Sequence, residues 1–223
     1  MPLLDLRFGD LYTPQEFART TEALTRISEQ YTKLPEEEAV YQLWDFVCRQ
    51  IKYPDTDSDR HIMSAYQTSN RAFFGPGYEI KEVSDDFWQF PNETLAWGIG
   101  DCADTSNLLC GIATNFVSPD RMYVVVGEVI NGVGHAWVEY FPPQDSYIYK
   151  GKGKILETTL KQAPSQTVKG IRTIVNRGYH EYDEYWRYNS EVLEGEPVMP
   201  NKTSSAVRQK AIQQLWGVPV KGT

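Results

Sequence analysis

Trp97-Gly98-Ile99-Gly100-Asp101-Cys102-Ala103-Asp104 is the stretch on which the reading of this chain turns. A glycine-punctuated loop runs directly into an apolar helical pattern, Leu108, Leu109, Ile112, Ala113 and Phe116, with a cysteine at the junction. The pattern predicts a helix from Cys102 to about Val117. The thiol then sits on the first turn, beside backbone N–H groups that have no intrahelical acceptor and at the positive end of the helix dipole. Helix starts favour thiolate over thiol, and the thiolate is the nucleophile. Gly98 and Gly100 permit the tight turn and leave no side chain in the path of a substrate backbone approaching the sulfur. The competing reading is a small core residue, because free cysteine is among the most buried residue types.

The 223 residues suit one globular unit of generous size with a real hydrophobic core. With 22 basic against 30 acidic residues the net charge is -8, and no run of lysine or arginine occurs, which argues against nucleic acid or a membrane surface as partner. Cys48, Cys102 and Cys110 are an odd number at neither disulfide-framework nor zinc spacing, which fits a reducing compartment. The N-terminal residues lack the apolar core of a signal peptide and no stretch reaches membrane-spanning length, so a cytoplasmic protein is expected.

Working outward, Thr13-Pro14-Gln15-Glu16 reads as a capped start of a helix to about Tyr31. A second helix starts at Leu34-Pro35-Glu36-Glu37-Glu38, its glutamates read as a solvated first turn, and continues through Val40, Leu43, Trp44 and Val47, with Cys48 as core. Asp55, Asp57, Asp59 and, further on, Asp85 are acidic loop residues. Calcium is the alternative there, although the glycine and distal glutamate of an EF-hand loop are missing. Phe73 to Tyr78 reads as an aromatic segment, either cleft wall or core filling.

Beyond the cysteine helix, Tyr123-Val124-Val125-Val126-Gly127-Glu128-Val129 is a buried strand. Asn131-Gly132 is a hairpin turn, so Gly134-His135-Ala136-Trp137-Val138-Glu139-Tyr140 returns antiparallel beside it. Residues 153–160 form another strand and 167–175 a further candidate, while 179–188 is ambiguous between strand and loop. A last amphipathic helix, capped by Ser204 or Ser205, runs to Trp216 and stops at Gly217 and Pro219.

A cysteine at a helix start becomes catalytic when a base shares its proton and a third group orients that base. His135 is the best base: it opens a strand between the small residues Gly134 and Ala136, which leave room for a helix start. His61 and His180 sit in polar, acidic surroundings. Glu157, near the end of the next strand, is the first choice for the orienting acid; Glu139 shares a strand face with His135 but lies roughly 13 Å along it. The Cys102 backbone N–H is one oxyanion donor, and the Trp88 indole or Gln89 amide is the candidate second, each with a structural role as its alternative. Asp101 and Asp104 are read as capping the first turn and not as metal ligands. A metal site on Cys102 and His135 lacks ligands, since structural zinc takes four. No metal or other cofactor is therefore expected.

Trp88-Gln89-x-Pro91-x-Glu93-Thr94-Leu95-x-x-Gly98-x-Gly100-Asp101-Cys102-x-Asp104, Gly134-His135-Ala136-Trp137 and Leu156-Glu157-Thr158-Thr159 together resemble the transglutaminase-like cysteine enzymes, especially the microbial transglutaminase-like cysteine proteinases. The resemblance covers residues 40 to 160. It implies an α+β, papain-like core, with the cysteine-bearing helix packed on an antiparallel sheet, and a Cys102-His135-Glu157 triad. The family usually carries aspartate where Glu157 stands. The expected organisation is an N-terminal helical extension over 1–34, a catalytic core over 35–195 and a C-terminal helical tail over 196–223, in one globular unit.

The expected activity is cysteine-dependent acyl transfer on a protein or peptide substrate, by hydrolysis of peptide or side-chain amide bonds. The alternatives are transamidation and a catalytically silent binding module on the same scaffold. The accessory β-domains of animal transglutaminases and the paired Cys-x-x-Cys ligands of peptide N-glycanases are absent from the sequence. No feature of the sequence indicates an oligomeric state.

Overall fold

The β-branched run after Met122 forms the centre of a five-stranded antiparallel sheet. A computed structural model describes residues 13–53, 88–130, 132–143, 153–164, 182–197 and 205–221. Strand β1 (Met122–Val129) pairs with β2 (Val133–Tyr140), placing Gly127 opposite His135 and Val125 opposite Trp137. Gly132 has the left-handed backbone, φ 72°, that the predicted hairpin turn needs. β3 (Lys154–Leu156) pairs with β2, β4 (Tyr182–Tyr188) with the other side of β1, and β5 (Leu193–Glu194) with β4, giving the order β3-β2-β1-β4-β5. Every residue of β2 is buried. A central strand covered on both faces has no need of apolar-polar alternation.

Helices α1 (Pro14–Phe17) and α2 (Glu22–Ser28) replace the single helix expected up to Tyr31. The break falls at Thr21, whose backbone is extended and whose hydroxyl accepts from the Leu24 amide at 3.5 Å, starting a new helix in place of continuing the old one. Helix α3 (Glu36–Gln50) begins as expected. Its first turn is tied to the sheet and is not merely solvated: Glu36 accepts from Arg121 and from the Tyr140 hydroxyl (2.8 Å), and Glu37 pairs with Lys154.

Helix α4 (Pro91–Trp97) ends at Gly98, which takes the left-handed conformation, φ 66°. Helix α5 (Cys102–Ala113) is shorter than its apolar pattern suggested and ends at Thr114, whose hydroxyl bonds back to the Gly111 carbonyl at 2.9 Å. It is buried at every position and lies against β1 and β2. Helix α6 (Ser205–Trp216) packs beside β2 and is stopped by Gly217, φ 62°. After Leu156 the expected strand gives way to a turn at Thr158 and Thr159, and Leu160 bridges to Val220. The ambiguous segment is a strand from Tyr182 onward. Residues 167–175, the acidic loop from Asp55 to Asp59 with Asp85, the aromatic segment from Phe73 to Tyr78, His61 and His180 lie outside the described residues.

Candidate active site

Cys102 opens α5 because Asp101 caps it. Asp101 Oδ1 accepts from the amides of Ala103 (2.8 Å) and Asp104 (3.3 Å), and Asp104 Oδ2 accepts from the Asp101 amide at 3.0 Å, a reciprocal capping box. Asp104 Oδ1 reaches back to the Gln89 amide (2.8 Å) and so holds the preceding loop against the helix. Of the first-turn amides, that of Cys102 alone has no hydrogen-bond acceptor among the described residues. Gly100 also serves packing. A Cβ there would lie 2.8 Å from Asp104 Cβ and 2.9 Å from Thr94 Cγ2, so the loop closes onto its own helix.

His135 and Glu157 come together: His135 Nε2 and Glu157 Oε2 are 2.7 Å apart in a fully enclosed setting. Oε2 also accepts from the Tyr182 hydroxyl (3.1 Å), while Oε1 accepts from the Thr159 amide (2.9 Å) and hydroxyl (2.7 Å). The Glu157 carbonyl is held from α3 by Trp44 Nε1 at 2.9 Å. With four donors on its oxygens, the carboxylate has one orientation. Burial pushes its pKa up, but His135 and the Thr159 donors outweigh burial and hold it below the usual carboxylate range. For His135, burial pushes the pKa down, yet Glu157 and the neighbouring Cys102 sulfur raise it to about 9. Nε2 being committed to Glu157, the ring's other nitrogen, Nδ1, has no hydrogen-bond partner among the described residues and is the one left for the sulfur.

Cys102 and His135 are 3% and 2% exposed. Burial pushes the Cys48 and Cys110 thiols up to about 12. Trp88, a candidate oxyanion donor, lies in an aromatic stack with Trp186 and Tyr188 at centroid distances of 6.1 and 5.9 Å. The side-chain oxygen of Gln89 is buried with no hydrogen-bond partner among the described residues. Glu139, the rejected acid, faces Arg187 at 3.9 Å.

Four contributors escaped the sequence reading. Tyr182 donates to Glu157 and accepts from Trp216 Nε1 (2.7 Å). Arg208 donates from Nε to the Gly134 carbonyl (2.9 Å) and from Nη1 to the Tyr53 hydroxyl (3.1 Å) and Asp101 Oδ2 (3.3 Å). For Arg208 a signal existed: it shares the buried stripe of α6 with Ala211 and Ile212, where an ordinary surface arginine does not belong.

No family model matches the sequence, and no curated protein does. Among solved structures, the EGTA-treated form of LapG from Legionella pneumophila has a TM-score of 0.50 at 16% identity, covering 91% of this chain and 94% of that one. Another LapG structure gives 0.50 at 15% identity, covering 92% and 94%. A calcium-bound LapG gives 0.38 at 16%, covering 83% and 92%. The mixed helical architecture with its antiparallel five-stranded sheet is the transglutaminase-like fold, as expected from the sequence. Among the described residues no helix is long and apolar enough to cross a membrane.

The donor set beside Cys102 does not suit a calcium ion. Asp101 and Asp104 have their oxygens on backbone amides and on the Arg208 guanidinium, and no group of three or more His, Cys, Asp or Glu among the described residues could hold a metal.

Proposed function

We propose that this protein is a cysteine-dependent acyl-transfer enzyme that hydrolyses peptide or side-chain amide bonds of protein or peptide substrates. The observation that carries the reading is the His135 ring, fixed through Nε2 by Glu157 at 2.7 Å and under the electrostatic influence of Cys102. Cys102 attacks the carbonyl as a thiolate and His135 carries the proton as imidazolium. His135 then delivers it to the leaving amine, and Glu157 keeps the ring in the tautomer that makes both transfers feasible. The amide of Cys102, free of any capping role, points the first donor at the tetrahedral oxyanion. Trp88 and Gln89 remain the second-donor candidates; the Gln89 backbone is held against the cysteine helix by its bond to Asp104.

Water resolves the acyl-enzyme in this reading; resolution by an amine would give transamidation with the same residues. The shared fold with LapG supports the scaffold and leaves the reaction to the residues. The cytoplasmic setting belongs to the same proposal and is supported by three free, buried thiols. Burial of Cys102 and His135 favours a second reading, a silent binding module whose triad is sealed in the core.

Iodoacetamide alkylation followed by peptide mass spectrometry separates the two readings. The enzyme reading expects Cys102 to be modified in the native protein at pH 6 and His135→Ala to slow that by at least about tenfold. An inert Cys102, or one indifferent to His135, sinks it in favour of the binding module. Release of free amine groups from a protein substrate, against incorporation of a fluorescent primary amine, distinguishes hydrolysis from transamidation.

A further inference from the structure

Arg208 belongs to neither the triad nor the expected oxyanion donors, yet the residue is only 7% exposed and its guanidinium joins three separate elements. Nε holds the carbonyl of Gly134, the residue before His135, at 2.9 Å. Nη1 meets the carboxylate of Asp101, the residue before Cys102, at 3.3 Å, and the Tyr53 hydroxyl at 3.1 Å. Tyr53 is itself located by the parallel bridge that joins Lys52 to Ile99, through Lys52 N to the Gly98 carbonyl (2.9 Å) and Gly100 N to the Lys52 carbonyl (3.1 Å). The guanidinium therefore spans the N-cap of the cysteine helix and the start of the histidine strand.

We propose that Arg208 is a positioning residue for the acyl-transfer reaction: by bonding Asp101 and Gly134 at once, it sets the approach of Cys102 to His135 and supplies a fixed positive charge beside the sulfur. This deepens the function proposed above and rests on it. A planar fork of donors is required for the task, since one nitrogen addresses a carbonyl on one element and another a carboxylate on a second. Stability alone does not explain the residue. A buried ion pair is often no better than well-packed apolar side chains of similar volume, and the neighbouring positions of this helix face are Ala211 and Ile212. A cation held in a water-poor site favours the anionic sulfur and the oxyanion that follows from it, because no solvent has to reorganise around them. The mutual electrostatic influence of Arg208, Cys102, Tyr53 and Asp101 agrees with that geometry.

The same helix reaches the other end of the triad. Trp216, eight residues and about 12 Å further along α6, bonds Tyr182, which bonds Glu157. One helix thus orients the acid at one end and the thiol at the other.

The test compares the rate of Cys102 alkylation across pH 5 to 9 in the wild type, His135→Ala, Arg208→Lys, Tyr53→Phe and Ile212→Val, with circular dichroism confirming the fold of each. Arg208→Lys keeps the charge and loses the fork; it is expected to fold and to lose at least about tenfold of the reactivity at pH 6, moving its profile toward that of His135→Ala. Ile212→Val, which trims the same helix face without touching these groups, is expected to melt earlier and keep the wild-type profile. A wild-type profile in Arg208→Lys, or an equal displacement in Ile212→Val, overturns the proposal. If Arg208→Lys fails to fold, Tyr53→Phe decides: a smaller loss in the same direction supports the proposal and an unchanged profile overturns it. A wild-type thiol that ignores His135→Ala overturns the underlying function and this proposal with it, an outcome distinct from a His135-dependent thiol that ignores Arg208.

Discussion

The hydroxyl groups of Thr105 and Thr158 lie 2.7 Å apart and join the helix that carries Cys102 to the turn that carries Glu157. With its one proton donated to the Asp101 carbonyl at 2.7 Å, the Thr105 hydroxyl accepts from Thr158, so the contact registers two parts of the site against each other in a buried setting. Thr105→Val keeps the shape and removes the hydroxyl. It is expected to cost about 1 kcal/mol and to lower the melting temperature by about 2–4 °C. A double-mutant cycle with Thr158→Val is expected to show coupling of about 1 kcal/mol, and strictly additive effects would show that the two hydroxyls act independently.

Glu157 supplies the carboxylate from a turn, and its length suits that placement. Val138 faces Leu156 across the ladder, so in a continued ladder Thr159 would face His135 and Glu157 would lie diagonally across from it. The longer side chain covers the diagonal. Glu157→Asp, although it introduces the residue common in the family that this chain resembles, is expected to slow His135-dependent alkylation at pH 6 by at least about tenfold, because the shortened carboxylate cannot keep both His135 and Thr159. An unchanged rate would mean the turn adapts freely.

The pair also shapes stability against pH. His135 is held at about 9, above its ordinary 6.5, so its charged form contributes stability that is fully present below about pH 6.5 and is lost as pH rises through about 9. Glu157, depressed, contributes stability above the ordinary carboxylate range that is lost as pH falls through its lowered value. The wild-type melting temperature is therefore expected to fall between pH 6.5 and 9.5 more steeply than that of His135→Gln, as scanning calorimetry at matched ionic strength would record. Parallel curves would remove the charged pair from the account.

Lys221 carries a cost of the opposite kind. Its ammonium group is buried, bonds the Val47 carbonyl at 3.2 Å, and is depressed to about 8 by burial. Below that pH the fold must hold a desolvated charge; between about 8 and 10.5 the folded form releases the proton before the unfolded chain does, and stability recovers. Lys221→Met is expected to melt about 2–4 °C higher than the wild type at pH 7, with the gain shrinking toward pH 10. A lower melting temperature at pH 7 would give the ammonium a stabilising role.

Because Asp101 Oδ2 faces a guanidinium, chelation with EGTA is expected to leave the Cys102 alkylation rate unchanged, and added calcium is expected not to raise it. A loss on chelation that calcium restores would show that a cation competes with Arg208 for Asp101.

The geometry linking His135 to Glu157 was legible because each step was local. The turn at Gly132 joins β1 to β2 in a tight register, and the following segment pairs with the outer edge of β2. Asp101 and Asp104 were legible as first-turn caps from their places beside Cys102, and the structure makes them a reciprocal capping box. What stayed hidden depends on distant partners. Glu36 and Glu37 look like a solvated first turn until Arg121 and Lys154 arrive from elsewhere in the chain. The break at Thr21 is a local choice between two adequate helix starts, which apolar periodicity cannot rank. Arg208 has no local reason to be inside; Asp101, 107 residues away, provides it.

That separation has a consequence for the newborn chain. Domains acquire structure progressively during synthesis, and contacts between distant positions form only once both have left the ribosome. Cys102 and His135 emerge well before Arg208, Trp216 and the Val220 partner of Leu160. A nascent polypeptide that already carries Cys102 and His135 therefore still lacks the helix whose Arg208 bonds the Gly134 carbonyl and the Asp101 carboxylate.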